Sequence, residues 1–184
     1  MESCLETLEE IRQEMGISII AFVLMPNHFH GLIRVRQKAD LSIFMRKWKS
    51  LSARRILDWA AGRNRIWLRQ FRRSAVENRC TKRQDHQVWI PRFDYLPIED
   101  DKQLYAGLNY IHFNPVRHLL VSRPDKYPYS SINDYMGSKN GFMGINPISW
   151  YPRSEQALTR EEDVAFFDLI SQTERNIGRE GAGS

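Results

Sequence analysis

The stretch from Ile17 to Val35, "ISIIAFVLMPNHFHGLIRV", constrains the fold more than any other part of the chain. Two apolar, largely β-branched runs flank Pro26-Asn27, a dipeptide suited to a tight turn. They predict two strands, over 17–25 and 28–35, joined as a hairpin. The longest apolar run, "ISIIAFVLM", has nine residues, about half of the ~20 that a membrane-spanning helix needs. The N-terminus is acidic rather than basic-then-apolar, and Cys4 and Cys80 fit no paired spacing. A soluble, intracellular, cytoplasmic protein without disulfides or a cysteine-based zinc site is the expectation.

Alternate residues of a strand share a face. His28 and His30 therefore lie together, with Phe29 on the other side toward a core. Two neutral imidazoles are good ligands for a transition metal, and tolerable for Mg²⁺ or Mn²⁺ when oxygen atoms complete the shell. The spacing alone is a weak pattern and favours two histidines on the solvated face of a hairpin.

Around the hairpin, periodicity predicts helices. Leu5, Leu8, Ile11 and Met15 share one face of a helix over 3–15, with Ser3 and Glu6 at capping-box spacing and Gly16 as its stop. Asp40 caps a helix over 40–61, ended by Gly62, in which Trp48 and Trp59 read as core. "VWIPRFDYLPI" reads as a strand that Pro91 and Pro97 confine to a sheet edge. "EDDKQLYAGLNYIHF" reads as a helix with acids in its first turn, "VRHLLV" adds a short turn after Pro115, and a last helix is expected near 160–171 before a loose polar tail. The order helix, strand, strand, helix, strand, helix implies an α+β domain close to a ferredoxin-like layout.

On the helix before Pro115, Tyr110 and Asn114 are four apart and share a face. The amide oxygen of Asn114 could complete a His-His-Asn metal site, and a tyrosine one turn away is a legitimate covalent nucleophile once helped to ionise. Asn-Pro is equally the signature of an N-cap and a first-turn proline, which would use the same oxygen. His112 falls on the other side of the helix, in a supporting or structural place. Arg117 is a candidate phosphate clamp.

The net charge of +5, with a pI near 9.4, favours a polyanionic partner, nucleic acid first. Thirteen Lys or Arg residues lie between Arg46 and Arg83, opposed only by Asp58 and Glu77. Arg46, Lys47, Lys49, Arg54, Arg55, Arg63, Arg65, Arg69, Arg72 and Arg73, interleaved with Trp67 and Phe71, suit a groove for single-stranded DNA, in which phosphates meet cations and bases stack.

Together, "AFVLMPNHFHGLIRV", "VWIPRFDYLPI" and "YIHFNPVRHLLVSRPDKYPYSSINDY" resemble the single-tyrosine HUH transposases, closest to the REP-associated tyrosine transposases and related insertion-sequence transposases. "KWKSLSARRI" resembles the family's second helix. The likeness covers roughly residues 5–136, which implies a catalytic domain over 1–136 and a C-terminal extension over 137–184. It implies a ferredoxin-like antiparallel sheet with helices on one face and a tyrosine-bearing helix. It makes His28 and His30 the metal-binding pair, Asn114 the third ligand, Tyr110 the nucleophile, and Mg²⁺ or Mn²⁺ the cofactor. The implied partner is single-stranded DNA with a hairpin, cut and rejoined through a 5′-phosphotyrosine by a monomer or homodimer. Members of the family usually begin with a central strand before the first helix; this chain starts at that helix, so the first strand is expected to be missing. The family often has Ala-Gly where this chain has His118-Leu119. Two other readings fit the same residues: a non-catalytic nucleic-acid-binding protein of the same fold, and a metal-dependent phosphodiesterase that uses water.

Overall fold

The computed structural model describes residues 1–63, 65–77, 85–136, 145 and 163–170, with side chains for all but 65, 73–77 and 163–170. At its centre is the expected hairpin. Strands β1 (Ser18–Leu24) and β2 (His28–Val35) pair antiparallel, with Leu24 opposite Phe29 and Val23 opposite His30.

Each face of the hairpin is covered by helix. On one side α1 (Glu2–Met15) and α2 (Lys38–Arg63) pack Leu5, Leu8, Phe44 and Trp48 against Phe22, Phe29 and Ile33. Trp48 is fully buried, and its indole N–H donates to the Cys4 carbonyl at 2.9 Å. A third helix, α3 (Arg65–Glu77), follows α2, and the edge strand β3 (Asp94–Pro97) comes next. On the other side α4 (Asp101–Arg117) lays Leu104, Leu108 and Ile111 on Ile20, Val23 and Leu32. Burying two apolar faces at once is what lets so short a hairpin carry nearly continuous hydrophobic sequence.

Several expectations are corrected. The Ser3–Glu6 capping box does not form, because α1 begins at Glu2 with Met1 as its cap, and the Ser3 carbonyl instead accepts from Thr7 Oγ1 at 2.6 Å. Gly16 does stop α1, in the left-handed region at φ 64°, where a glycine carries no Cβ penalty. Gly62 does not stop α2, which runs to Arg63. Trp59 is 49% exposed rather than core. A helix of 26 residues is about 39 Å long, whereas an eight-residue strand spans only about 26 Å. The end of α2 therefore overhangs the sheet.

The helix expected near 160–171 is instead a strand over its described part, β4 (Asp163–Ile170). The expected tail lies outside the described residues. Strand β4 pairs antiparallel with β2 on one side and β3 on the other, giving the order β1-β2-β4-β3. The central position beside the histidine strand, which the resemblance gives to a strand ahead of the first helix, is thus filled from residues 163–170. "DVAFFDLI" misleads because a short apolar run without clean alternation suits a helix or an inner strand alike.

Helix α4 also departs from expectation. It runs unbroken through Pro115 to Arg117, although proline removes one helical hydrogen bond. Asn114 is therefore an interior helical residue and not the N-cap of a new helix. The cap that does form is Asp100, whose side chain accepts from Gln103 N–H at 2.7 Å. No helix among the described residues is long and apolar enough to cross a membrane.

Candidate active site on the tyrosine helix

Even-numbered residues of β2 face α4, so His28 and His30 lie beneath the helix that carries Tyr110. Both histidines and Asn114 are buried. The two imidazole centroids are 4.8 Å apart, and the Tyr110 ring stands edge-on to His30 at 5.0 Å. Tyr110 is 38% exposed, so the residue is open to solvent on one side. The structure thus brings together the four residues singled out by sequence, within one chain.

The electrostatics suit a ligand set. Burial, then the neighbouring rings of His28 and His118, push the pKa of His30 down to about 3, so it is a neutral imidazole at physiological pH. His28 Nδ1 lies 2.8 Å from Asn27 Oδ1. If Nδ1–H donates there, Nε2 presents a lone pair toward Asn114 Oδ1, 3.3 Å away. Two acceptors face each other in that tautomer. A cation between them resolves the conflict, as does turning the amide to offer its N–H. Two donors sharing an ion at about 2.1 Å each would sit roughly 3.0–3.4 Å apart at right-angled to tetrahedral bond angles, so the observed separation fits.

His112 occupies the supporting place expected of it. Its Nε2 lies 2.9 Å from Ser131 Oγ, and the same hydroxyl bonds Phe22 N–H at 2.9 Å. Burial lowers the His112 pKa to about 4. The ring therefore ties α4 to β1 through the segment after the helix.

The basic residues divide. Arg46 and Arg54 line an open groove of about 800 Å³ beside α2, with Gln87, Trp89 and Phe93. Lys47 pairs with Glu14 at 2.5 Å. Lys49 turns its ammonium onto the carbonyls of Ile90, Pro91 and Arg92, and burial lowers its pKa to about 8. Arg55 bonds Glu10 at 2.8 Å and Thr7 Oγ1 at 2.9 Å. Arg63, Arg69 and Arg72 are exposed, while Arg65 and Arg73 fall where side chains are not described. Trp59, Trp67 and Phe71 line a second cavity of about 610 Å³ with Pro26 and Tyr129. Arg117 stands on the tyrosine side, its guanidinium 5.1 Å over the Tyr110 ring.

Sequence reasoning passed over three features near the site. Asn27 was read only as turn chemistry, yet it orients His28. Asp168 pairs in register opposite His30, and Asp94 opposite Asp168; no signal pointed there while β4 read as helix. His118, taken as a packing change, has its ring 5.5 Å from that of His28.

Residues 1–84 match the family of IS200-like transposases. The chain is 30% identical over 115 residues to a Haemophilus influenzae protein that carries the name REP-associated tyrosine transposase, covering 62% of this chain and 58% of that one. It is 23% identical over 141 residues to the REP-associated tyrosine transposase of Escherichia coli K12, covering 77% and 67% respectively. The chain thus spans roughly three fifths to two thirds of the length of these relatives. No solved structure matches. The family match ends before α4, so the placing of Tyr110 and Asn114 stands on the geometry above.

Proposed function

We propose that this chain, similar over residues 1–84 to the IS200-like transposases and over a longer stretch to two REP-associated tyrosine transposases, cuts and rejoins single-stranded DNA beside a hairpin, with Tyr110 as nucleophile. The observation that carries this reading is the convergence, in one subunit, of the Tyr110 ring on His30 and of the Asn114 amide on His28 Nε2.

Tyr110 attacks a phosphodiester phosphorus. The P–O3′ bond breaks, the phenol gives up its proton, and the departing 3′ oxygen takes one up to leave a 3′-hydroxyl. The 5′-phosphate stays on the tyrosine oxygen. A second strand's 3′-hydroxyl then attacks the same phosphorus and returns the phenol, so joining needs no ATP. Mg²⁺ or Mn²⁺, held by His28, His30 and Asn114, would supply Lewis-acid polarisation of the phosphate and favour the phenolate. Arg117, over the tyrosine ring, supplies positive charge where the phosphate must lie. Arg46 and Arg54, across the sheet from Tyr110, line the open groove beside α2, which supports single-stranded DNA held on that side as well.

The test uses labelled single-stranded oligonucleotides carrying a hairpin, with Mg²⁺ or Mn²⁺. A covalent adduct that disappears in Tyr110→Phe supports the proposal. Metal-dependent cutting that survives Tyr110→Phe overturns it in favour of a water-using phosphodiesterase. Salt-sensitive binding without cutting overturns it in favour of a non-catalytic binding protein.

A further inference from the structure

Tyr110, Asn114 and His118 stand at i, i+4 and i+8 along α4 and its C-cap. That spacing stacks them on one face of a helix, the face turned to His28 and His30. The first two meet the histidines, and the third lies beside them: the His118 ring is 5.5 Å from that of His28. The end of the helix is built to hold it there. Leu120 N–H bonds the Pro115 carbonyl at 2.9 Å and Leu119 N–H the Val116 carbonyl at 3.0 Å, the paired bonds of a Schellman turn. That turn puts Leu119 in the left-handed region, at φ 55°, where a glycine is the usual occupant.

We propose that His118 is an additional ligand of the metal centre, making it a three-imidazole, one-amide site that prefers transition metals to Mg²⁺. The proposal rests on the metal-centre reading above and sharpens it.

The geometry is close to what shared coordination requires. With metal–nitrogen bonds of about 2.0–2.1 Å, two imidazoles on one ion have centroids roughly 4.5–5.2 Å apart. His28 and His30, at 4.8 Å, fall within that range, and His28 and His118 lie just outside it. The rings do not yet surround one point, since no group of three His, Cys, Asp or Glu among the described residues does so. His118 is exposed at a helix end, so its ring has solvent on one side into which it can turn, and the proposal requires that it turn toward His28 and His30. A third imidazole shifts the donor set from one that Mg²⁺ tolerates toward one suited to Mn²⁺, Co²⁺ or Zn²⁺.

The test is metal binding by the full-length protein, without DNA. Co²⁺ titration is followed by visible absorption, and Mg²⁺ titration by calorimetry, for the wild type, His118→Ala, His118→Gln and His28→Ala. Thermal melts check that each variant is folded. The expected result is at least a tenfold loss of Co²⁺ affinity and a changed Co²⁺ spectrum in both His118 variants, with Mg²⁺ affinity within about twofold of wild type. Unchanged Co²⁺ affinity and spectrum in both His118 variants, with binding lost in His28→Ala, overturns the His118 role and leaves the metal centre standing. No Co²⁺ binding by the wild type overturns both.

Discussion

The two faces of the sheet are built on different logic. Beneath α4, polar groups meet one another, all of them buried except Tyr110: Asn114 with His28, Tyr110 with His30, His112 with Ser131. Beneath α1 and α2 the interior is apolar and aromatic, with Trp48 packed on Phe29 at 4.7 Å and on Trp89 at 5.3 Å, and the charges lie outside. One face gathers the candidate catalytic residues, and the other carries the aromatic core and the surface charge. Substitutions should therefore separate the two properties by face.

The largest separation is expected between Trp48→Ala and Asn114→Ala. Trp48 is fully buried, so its truncation should cost roughly 3–5 kcal/mol, read as a lower urea midpoint. Asn114→Ala removes a partner of His28 but little apolar area, and should lower adduct formation by far more than it lowers the midpoint. If Trp48→Ala spares stability, or Asn114→Ala unfolds the protein, the division by face is wrong.

Alkaline pH should weaken the α1–α2 face next. Cys4 is buried in that core, and burial raises its thiol pKa from 9.0 to about 11. Between those values the unfolded thiol ionises and the folded one does not. The contribution is thus fully present below pH 9 and is lost as pH rises toward 11, by about 2–3 kcal/mol at most. In a Cys80→Ser background, urea midpoints should fall across that window, and in Cys4→Ala they should not fall for this reason. The same burial should make alkylation of Cys4 at pH 8 as slow as unfolding.

The charged exterior offers a finer contrast. Arg46 and Arg54 line the open groove, while Lys47, Lys49 and Arg55 are already engaged with Glu14, with backbone carbonyls and with Glu10. Arg46→Ala with Arg54→Ala should weaken single-strand binding and reduce the slope of log K against log salt by about 1.4, two contacts at ~0.7 each. Lys47→Ala should change that slope by less, because the lysine has an acid to return to. Equal slopes for the two variants would mean that counting cations along the sequence was the better guide.

How far the sequence could be read follows the same division. His28, His30, Tyr110 and Asn114 were legible because strand and helix periods dictate which residues share a face. Their meeting across 86 positions from His28 to Asn114 required the resemblance as well. The basic stretch was legible only as composition, since nothing in "RKWKSLSARRI" says that Lys49 turns inward or that Arg55 finds Glu10. Trp59 misled because periodicity does not reveal where a helix outruns its sheet. Strand β4 misled because an inner strand has no wet face to impose alternation, and Asn114-Pro115 because tertiary packing carried α4 through a residue that usually ends a helix.

The smallest effect belongs to Leu119. It is the one non-glycine residue with positive φ among those described, at 55°, and its side chain is 91% exposed. A left-handed L-residue costs about 1–2 kcal/mol, and no packing offsets that here. Leu119→Gly relieves the strain but adds freedom to the unfolded chain, so a net gain of about 1 kcal/mol is expected, seen as a higher urea midpoint. The turn geometry should persist, because the bonds to Pro115 and Val116 are made by backbone and glycine suits the conformation better. Co²⁺ affinity should then stay close to wild type, since His118 still projects from the same cap. A stabilised Leu119→Gly that has lost Co²⁺ affinity would show instead that the leucine, and not the turn alone, holds His118 toward His28.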